Sequence, residues 1–159
     1  MHMENRLIAH SLIENNGKYL LIKRSEIKRG KKNFYPAYWD IPGGTVEDGE
    51  LPRQAAIREC QEEVGLRIAI DQVIHEDSNV DKDKVFTRLV YRGQLLENSE
   101  DLAITLDPQE HTDYRWVASL ADLPGEKIVP YLCEILGETM ERLTILSQQK
   151  KLKKIKKKI

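Results

Sequence analysis

The chain has 159 residues, 40% of them hydrophobic and 32% charged, with a formal net charge of −1. That length supports one ordinary domain with its own core and excludes two of comfortable size, and the near-neutral total excludes a whole-molecule attraction to nucleic acid or membrane. The neutrality hides an asymmetry: seven lysines fall within residues 148–159, and without them 18 basic residues face 26 acidic ones, a body near −8.

Residues 1–7 are polar where a secretory signal is apolar, and no stretch approaches the roughly 18 apolar residues of a membrane span. Cys60 and Cys133 lie far apart with no partner at metal-ligand spacing, so a reducing, cytoplasmic setting is expected. Residues 6–13 and 19–23 are apolar-rich runs around Asn15-Asn16-Gly17, a pattern that predicts a β-hairpin. Residues 25–38 combine Lys28, Arg29, Lys31 and Lys32 with Phe34, Tyr35 and Tyr38 and show no period, which reads as a basic, aromatic loop. Lys23 and Arg24 end the strand before it, adding local positive charge to an otherwise acidic body; they read either as anion contacts or as solvated side chains.

Residues 39–42 read as extended, with Gly43-Gly44 breaking the run. Pro52 fits the first turn of a helix and Gly65 its C-terminal cap. Strands are expected over residues 66–75, 85–96 and 114–117. Residues 128–146 place Leu132, Leu136, Met140 and Leu143 at helical spacing, so a C-terminal helix should lay that stripe on the core. The expected organisation is one domain over residues 1–147 and a solvated lysine-rich tail over residues 148–159, with Leu152, Ile155 and Ile159 along one side of it.

The chemistry concentrates on the helix between Pro52 and Gly65. At about 100° per residue, Glu59, Glu62 and Glu63 share one arc, beside an apolar arc of Ala56, Ile57, Cys60 and Val64. Glu59 and Glu63 are an i,i+4 pair of like charges, which costs an isolated helix about 0.2–0.5 kcal/mol. Arg58 alone does not neutralise three carboxylates, whereas a hard divalent cation does so through carboxylate oxygens and keeps positions for water and phosphate. The plain alternative for three such glutamates is a solvated acidic face.

The surrounding residues decide between them. Gly44, five residues, Glu50, seven residues and then Arg58-Glu59-Cys60-Gln61-Glu62-Glu63-Val64-Gly65-Leu66 resembles the Nudix box at all seven of its fixed Gly, Glu and Arg positions. At ordinary residue usage, a chance match in a chain this long is on the order of one in a million. Trp39 and Pro42-Gly43-Gly44 resemble the usual lead-in, and residues 114–123 resemble the family's late strand and turn. The likeness runs from about Arg6 to Leu136; Cys60 departs from it, standing where a bulky aliphatic residue is usual, and reads as a small buried hydrophobe.

The resemblance implies an α+β fold, a Nudix-type α/β/α sandwich with a mixed β-sheet. It implies a Mg²⁺-dependent hydrolase, with Mn²⁺ as the alternative ion, cleaving the diphosphate linkage of a small nucleotide-type substrate. Carried over by position, Glu59, Glu62 and Glu63 with the Gly43 carbonyl would bind metal, and Arg58 and Glu50 would orient the carboxylates. Arg24, Gly44 and Glu50 fall on the substrate side. The proton acceptor is Glu59 or Glu110, since the family often places a catalytic acid in the loop before the late Trp-containing strand, and Glu110 lies six residues ahead of Trp116. His111 beside it reads as a surface histidine. No P-loop, paired Cys/His site or serine triad offers another mechanism. The rival class is a Nudix-fold module that senses nucleotide without cleaving it. No nucleic-acid or membrane partner is expected, a homodimer is left open, and residues 78–84 offer no marker for ADP-ribose or dinucleoside polyphosphates.

Overall fold

The apolar runs flanking Asn16 become strands β1 (Glu4–Asn15) and β2 (Lys18–Arg24) in the computed structural model, which describes residues 2–96, 103–137 and 151–156. Asn16 and Gly17 take φ of 52° and 75°, the two left-handed conformations that a two-residue hairpin turn demands. The basic segment that follows is more ordered than a loop. It carries a second hairpin, β3 (Ile27–Lys28) and β4 (Lys31–Lys32), turned by Arg29 and Gly30 at φ 52° and 81°. Strands of two residues contain no period, which is why sequence patterning missed them.

Next come β5 (Trp39–Asp40) and β6 (Gly43–Thr45). Gly43 and Gly44 do not break the chain as expected; they pair with His10 and Ala9 of β1. A Cβ on Gly43 would lie 2.6 Å from the Ala9 carbonyl oxygen, so only glycine lets these backbones approach so closely. Helix α1 (Pro52–Val64) then leads into β7 (Ile68–Asp81), β8 (Lys84–Leu95), β9 (His111–Val117) and a 3₁₀ turn at Leu120–Asp122. Residues 130–137 form a second helix, α2.

Seven of these strands make one mixed sheet in the order β5-β2-β1-β8-β7, with β6 added to β1 and β9 to β2. β1 runs parallel to β8 from Glu4 opposite Lys84 to Glu14 opposite Gln94, while its other neighbours are antiparallel. Period-two alternation splits the side chains between two faces. Ile13, Leu20 and Ile22 go to the α1 side, where Cys60, Val64, Leu66 and Ile68 meet them. Leu12, Leu21 and Val90 go to the other side, against Leu132 and Leu136 of α2 and the buried Trp39. Each fully buried aliphatic side chain contributes about 1.5–3 kcal/mol. The result is the expected sandwich, helix on sheet on helix.

α1 starts at Pro52, whose missing N–H costs nothing there, and Leu51 N–H donates to Gln54 Oε1 at 3.1 Å. It ends at Gly65, φ 74°, whose N–H returns to the Gln61 carbonyl at 3.0 Å. Its buried side differs from the expected arc: Ala55, Ala56, Cys60, Glu63 and Val64 are covered, whereas Ile57 is 40% exposed. The helix is rotated so that an acidic side chain enters the protein.

In α2 Leu132 and Leu136 are buried as expected, while Met140 and Leu143 lie outside the described residues. Residues 151–156 of the lysine-rich end are helical and exposed. No described helix is long and apolar enough to cross a membrane.

Candidate active site

The α1 carboxylates face the β6 glycines across a cavity of about 490 Å³. Every sequence candidate except Glu50 and Lys23 lines it. Arg58 organises this wall. Its Nε and Nη2 donate to the two oxygens of Glu50 at 2.8 and 3.0 Å, its Nη1 reaches Glu59 and Glu62 at 3.1 Å each, and Nη2 also reaches the Thr45 carbonyl at 3.2 Å. Glu50 thus stands behind Arg58 as a bidentate anchor, and that hydrogen bonding holds its carboxyl below the usual range. Gly44 makes room for Glu59, since a Cβ there would lie 2.6 Å from Glu59 Oε1.

The Arg58 hydrogen bonds go to Glu50, Glu59, Glu62 and Thr45 and not to Glu63. Glu63 is 5% exposed, and burial, then the adjacent Glu59, pushes its pKa well up, partly offset by Gly43 N–H donating to Oε1 at 2.9 Å. Burial also raises Glu59, against the opposing pull of Arg58. Two neighbouring carboxylates are therefore held in a place that favours their protonated forms until positive charge arrives.

The second wall comes from the start of β9. His111 is 7% exposed, not at the surface as expected, and its Nε2 lies 3.3 Å from Glu63 Oε2. Burial lowers its pKa to about 4, so its ring is neutral near pH 7. Its Nδ1 is buried with no hydrogen-bond partner among the described residues. Ligand atoms of Glu63, Glu110 and His111 lie within 4.8 Å of one another, a group able to hold a metal ion. The donor chemistry fits a divalent cation: carboxylate oxygens and a neutral imidazole, brought together away from solvent. Glu62 is less involved, its side chain 58% exposed and tied to Arg58.

The rim is basic. Arg24 lines the cavity, but its guanidinium is engaged by the Phe34 carbonyl at 2.7 Å and by Asp40 and Asn33 at 3.1 Å each. Asp40 is buried, accepts from Ile41 N–H at 2.7 Å and receives the Tyr131 hydroxyl of α2. Lys28 and Arg29, on the β3–β4 hairpin, reach Glu110 Oε1 at 3.4 and 3.7 Å. Sequence reasoning missed His111 and Asp40. A signal for His111 existed, as it opens the strand whose preceding loop was already singled out for Glu110; Asp40 gave none.

A family model for the NUDIX domain matches residues 4–130. Nucleoside triphosphatase NudI of Enterobacter sp. (strain 638) is 38% identical over 71 residues, covering 45% of this chain and about half (48%) of that relative. Nucleoside triphosphatase NudI of Escherichia coli O81 (strain ED1a) is 29% identical over 124 residues, covering 72% of this chain and 83% of its own length. Among solved structures, a MutT protein from Methanosarcina mazei Go1 superposes with a TM-score of 0.69 at 25% identity, covering 91% of this chain and 98% of that one. With the box laid along α1, its carboxylates turned toward a basic-rimmed cavity and the match spanning most of the chain, the protein belongs to the Nudix hydrolase family, enzymes that act on phosphorus-containing acid anhydrides.

Proposed function

We propose that the chain is a Mg²⁺-dependent pyrophosphohydrolase that cleaves a nucleoside triphosphate, or a related nucleoside diphosphate derivative, to release a nucleoside monophosphate. The observation that carries this reading is the buried Glu63 carboxyl, grouped with Glu110 and His111 within metal-ligand reach and beside Glu59. The relatives that are nucleoside triphosphatases support a triphosphate substrate. Mn²⁺ would serve in place of Mg²⁺, and a single catalytic domain over residues 1–147 working in the cytoplasm completes the reading.

Glu59, Glu62 and Glu63, the Gly43 carbonyl and the imidazole of His111 would hold the metal. A bound divalent ion would supply charge neutralisation for the diphosphate oxygens and acidify water. Arg58, itself braced by Glu50, keeps Glu59 aimed at the cavity. Glu110 faces α1 from the opposite wall and accepts the proton of the attacking water; Glu59 is the second candidate, already committed to Arg58. Arg24 fixes the basic loop through Phe34 and Asn33 and so shapes the substrate side with Gly44.

The test is a product-resolved screen of nucleotides with and without Mg²⁺ in ¹⁸O-labelled water, reading which phosphorus gains the label. Metal-dependent release of a nucleoside monophosphate is expected. Nucleotide binding without turnover on any member of the screen would overturn the assignment in favour of a sensing module.

A further inference from the structure

Among the described residues four cations line the cavity, and two of them are already committed. Arg24 is spent on Phe34, Asn33 and Asp40, and Arg58 on Glu50, Glu59 and Glu62. The other two, Lys28 and Arg29, converge on a single oxygen, Oε1 of Glu110, at 3.4 and 3.7 Å. Their side chains are 44% and 74% exposed. Exposed ion pairs of this kind contribute about 0–1 kcal/mol each, so another anion readily displaces them. A terminal phosphate carries about two charges and three acceptor oxygens, against one charge for the carboxylate.

We propose that Lys28 and Arg29 form the subsite for the terminal phosphate of a nucleoside triphosphate, and that Glu110 occupies this subsite until the phosphate arrives. The inference rests on the hydrolase reading above and names which polyphosphate end the cavity selects. Arrival of the phosphate at the hairpin frees Oε1 of Glu110, whose carboxylate already lies within 4.8 Å of Glu63, from its two cations, so the proton acceptor is released when a substrate with the right charge is in place. A diphosphate lacking that third phosphate leaves Glu110 latched.

Local architecture favours such an exchange. Ser25 N–H donates to the Glu110 carbonyl at 2.9 Å, Ser25 Oγ donates to the Gln109 carbonyl at 2.8 Å, and Asn33 Nδ2 donates to the Ser25 carbonyl at 3.0 Å. The hairpin is thereby pinned to the Glu110 loop without using the Glu110 side chain, so partners can switch while the backbone stays. Arg29 also takes φ 52° in a turn position where Asn or Gly is the usual choice, which places its long side chain at the hairpin tip over the cavity.

The experiment is equilibrium binding, with Mg²⁺ present, of an α,β-methylene nucleoside triphosphate and of the matching α,β-methylene diphosphate. Lys28→Ser/Arg29→Ser should weaken the triphosphate analogue about tenfold or more and the diphosphate by less than about threefold. Glu110→Gln should tighten the triphosphate analogue severalfold, and that gain should vanish when it is combined with Lys28→Ser/Arg29→Ser. Equal losses for both ligands, or no tightening in Glu110→Gln, would overturn the proposal. Thermal melts of each variant separate binding loss from unfolding. Absence of metal-dependent turnover by the wild type on every nucleotide tested is a different result; it strikes the hydrolase reading, while the binding pattern still decides the subsite.

Discussion

His111 Nε2 stands 3.3 Å from Glu63 Oε2, with the two side chains 9% and 6% exposed. Burial acts on the pair in opposite directions, lowering the imidazole to about 4 and raising the carboxyl well above its usual range. Both shifts favour neutral forms. Burial therefore biases the metal-free site toward less charge than its formula suggests, and positive charge placed there would favour the ionised form of Glu63.

Glu63→Gln keeps the shape and the acceptor for Gly43 N–H but removes the ionisable carboxyl. Turnover with Mg²⁺ should fall by at least about 100-fold, since charge stabilisation by a metal is worth several kcal/mol. The metal-free variant should melt no lower than the wild type. Steady-state rates and calorimetry check both, and near-normal rates would remove Glu63 from the metal site.

Stability of the metal-free protein should depend on pH with two opposing contributions. His10 and His111 are buried with folded pKa values below 6.5, so the unfolded chain binds more protons below that pH. Their contribution is present above 6.5 and declines as pH falls toward the folded values. Glu63 has a raised folded pKa, so its contribution is full below 4.5 and is lost as pH rises from there through the folded value. Between pH 4.5 and 6.5 the melting temperature of Glu63→Gln should therefore climb more steeply with pH than that of the wild type. Parallel curves for the two proteins would contradict the raised carboxyl.

The two adjacent glycines should fail differently. In Gly43→Ala the new Cβ meets the Ala9 carbonyl at 2.6 Å and His10 Nδ1 at 2.3 Å, inside the β1–β6 pairing, and overpacking of that kind costs about 1–3 kcal/mol. In Gly44→Ala its three nearest atoms all belong to the Glu59 carboxylate, the first at 2.6 Å, the far end of a flexible side chain. Denaturant titrations should show the first substitution as the destabilising one. Rates should show the second losing activity while staying folded.

Arg58→Lys tests whether geometry or charge matters on the acidic wall. An ammonium keeps the charge but has no fork to grip Glu50 through both oxygens while reaching Glu59 and Glu62. Turnover should drop about tenfold or more with a smaller effect on melting temperature, because the substitution keeps the positive charge beside Glu50, Glu59 and Glu62. Full activity in Arg58→Lys would reduce Arg58 to a surface charge.

Legibility differed by element, for physical reasons. The β1–β2 turn and both ends of α1 rest on local backbone preferences of Asn16, Gly17, Pro52 and Gly65, and these need no knowledge of the rest of the fold. β6 was read as a break because two glycines signal a turn in isolation, whereas here they allow close approach to β1, a contact made with residues more than thirty positions away. The apolar arc of α1 was placed one step off, with Ile57 inside and Glu63 outside, because the helix is rotated by what it packs against and by the Gly43 N–H that donates to Glu63.

The sequence by itself determined the box, the helix that carries it and the residue types gathered there, because spacing along one helix is a local property. Only the tertiary structure decided which of those glutamates is desolvated and what faces it. Burial and charge environment are set by β9 and the β3–β4 hairpin arriving from distant parts of the chain, and that arrival turned His111 inward and set Lys28 and Arg29 against Glu110.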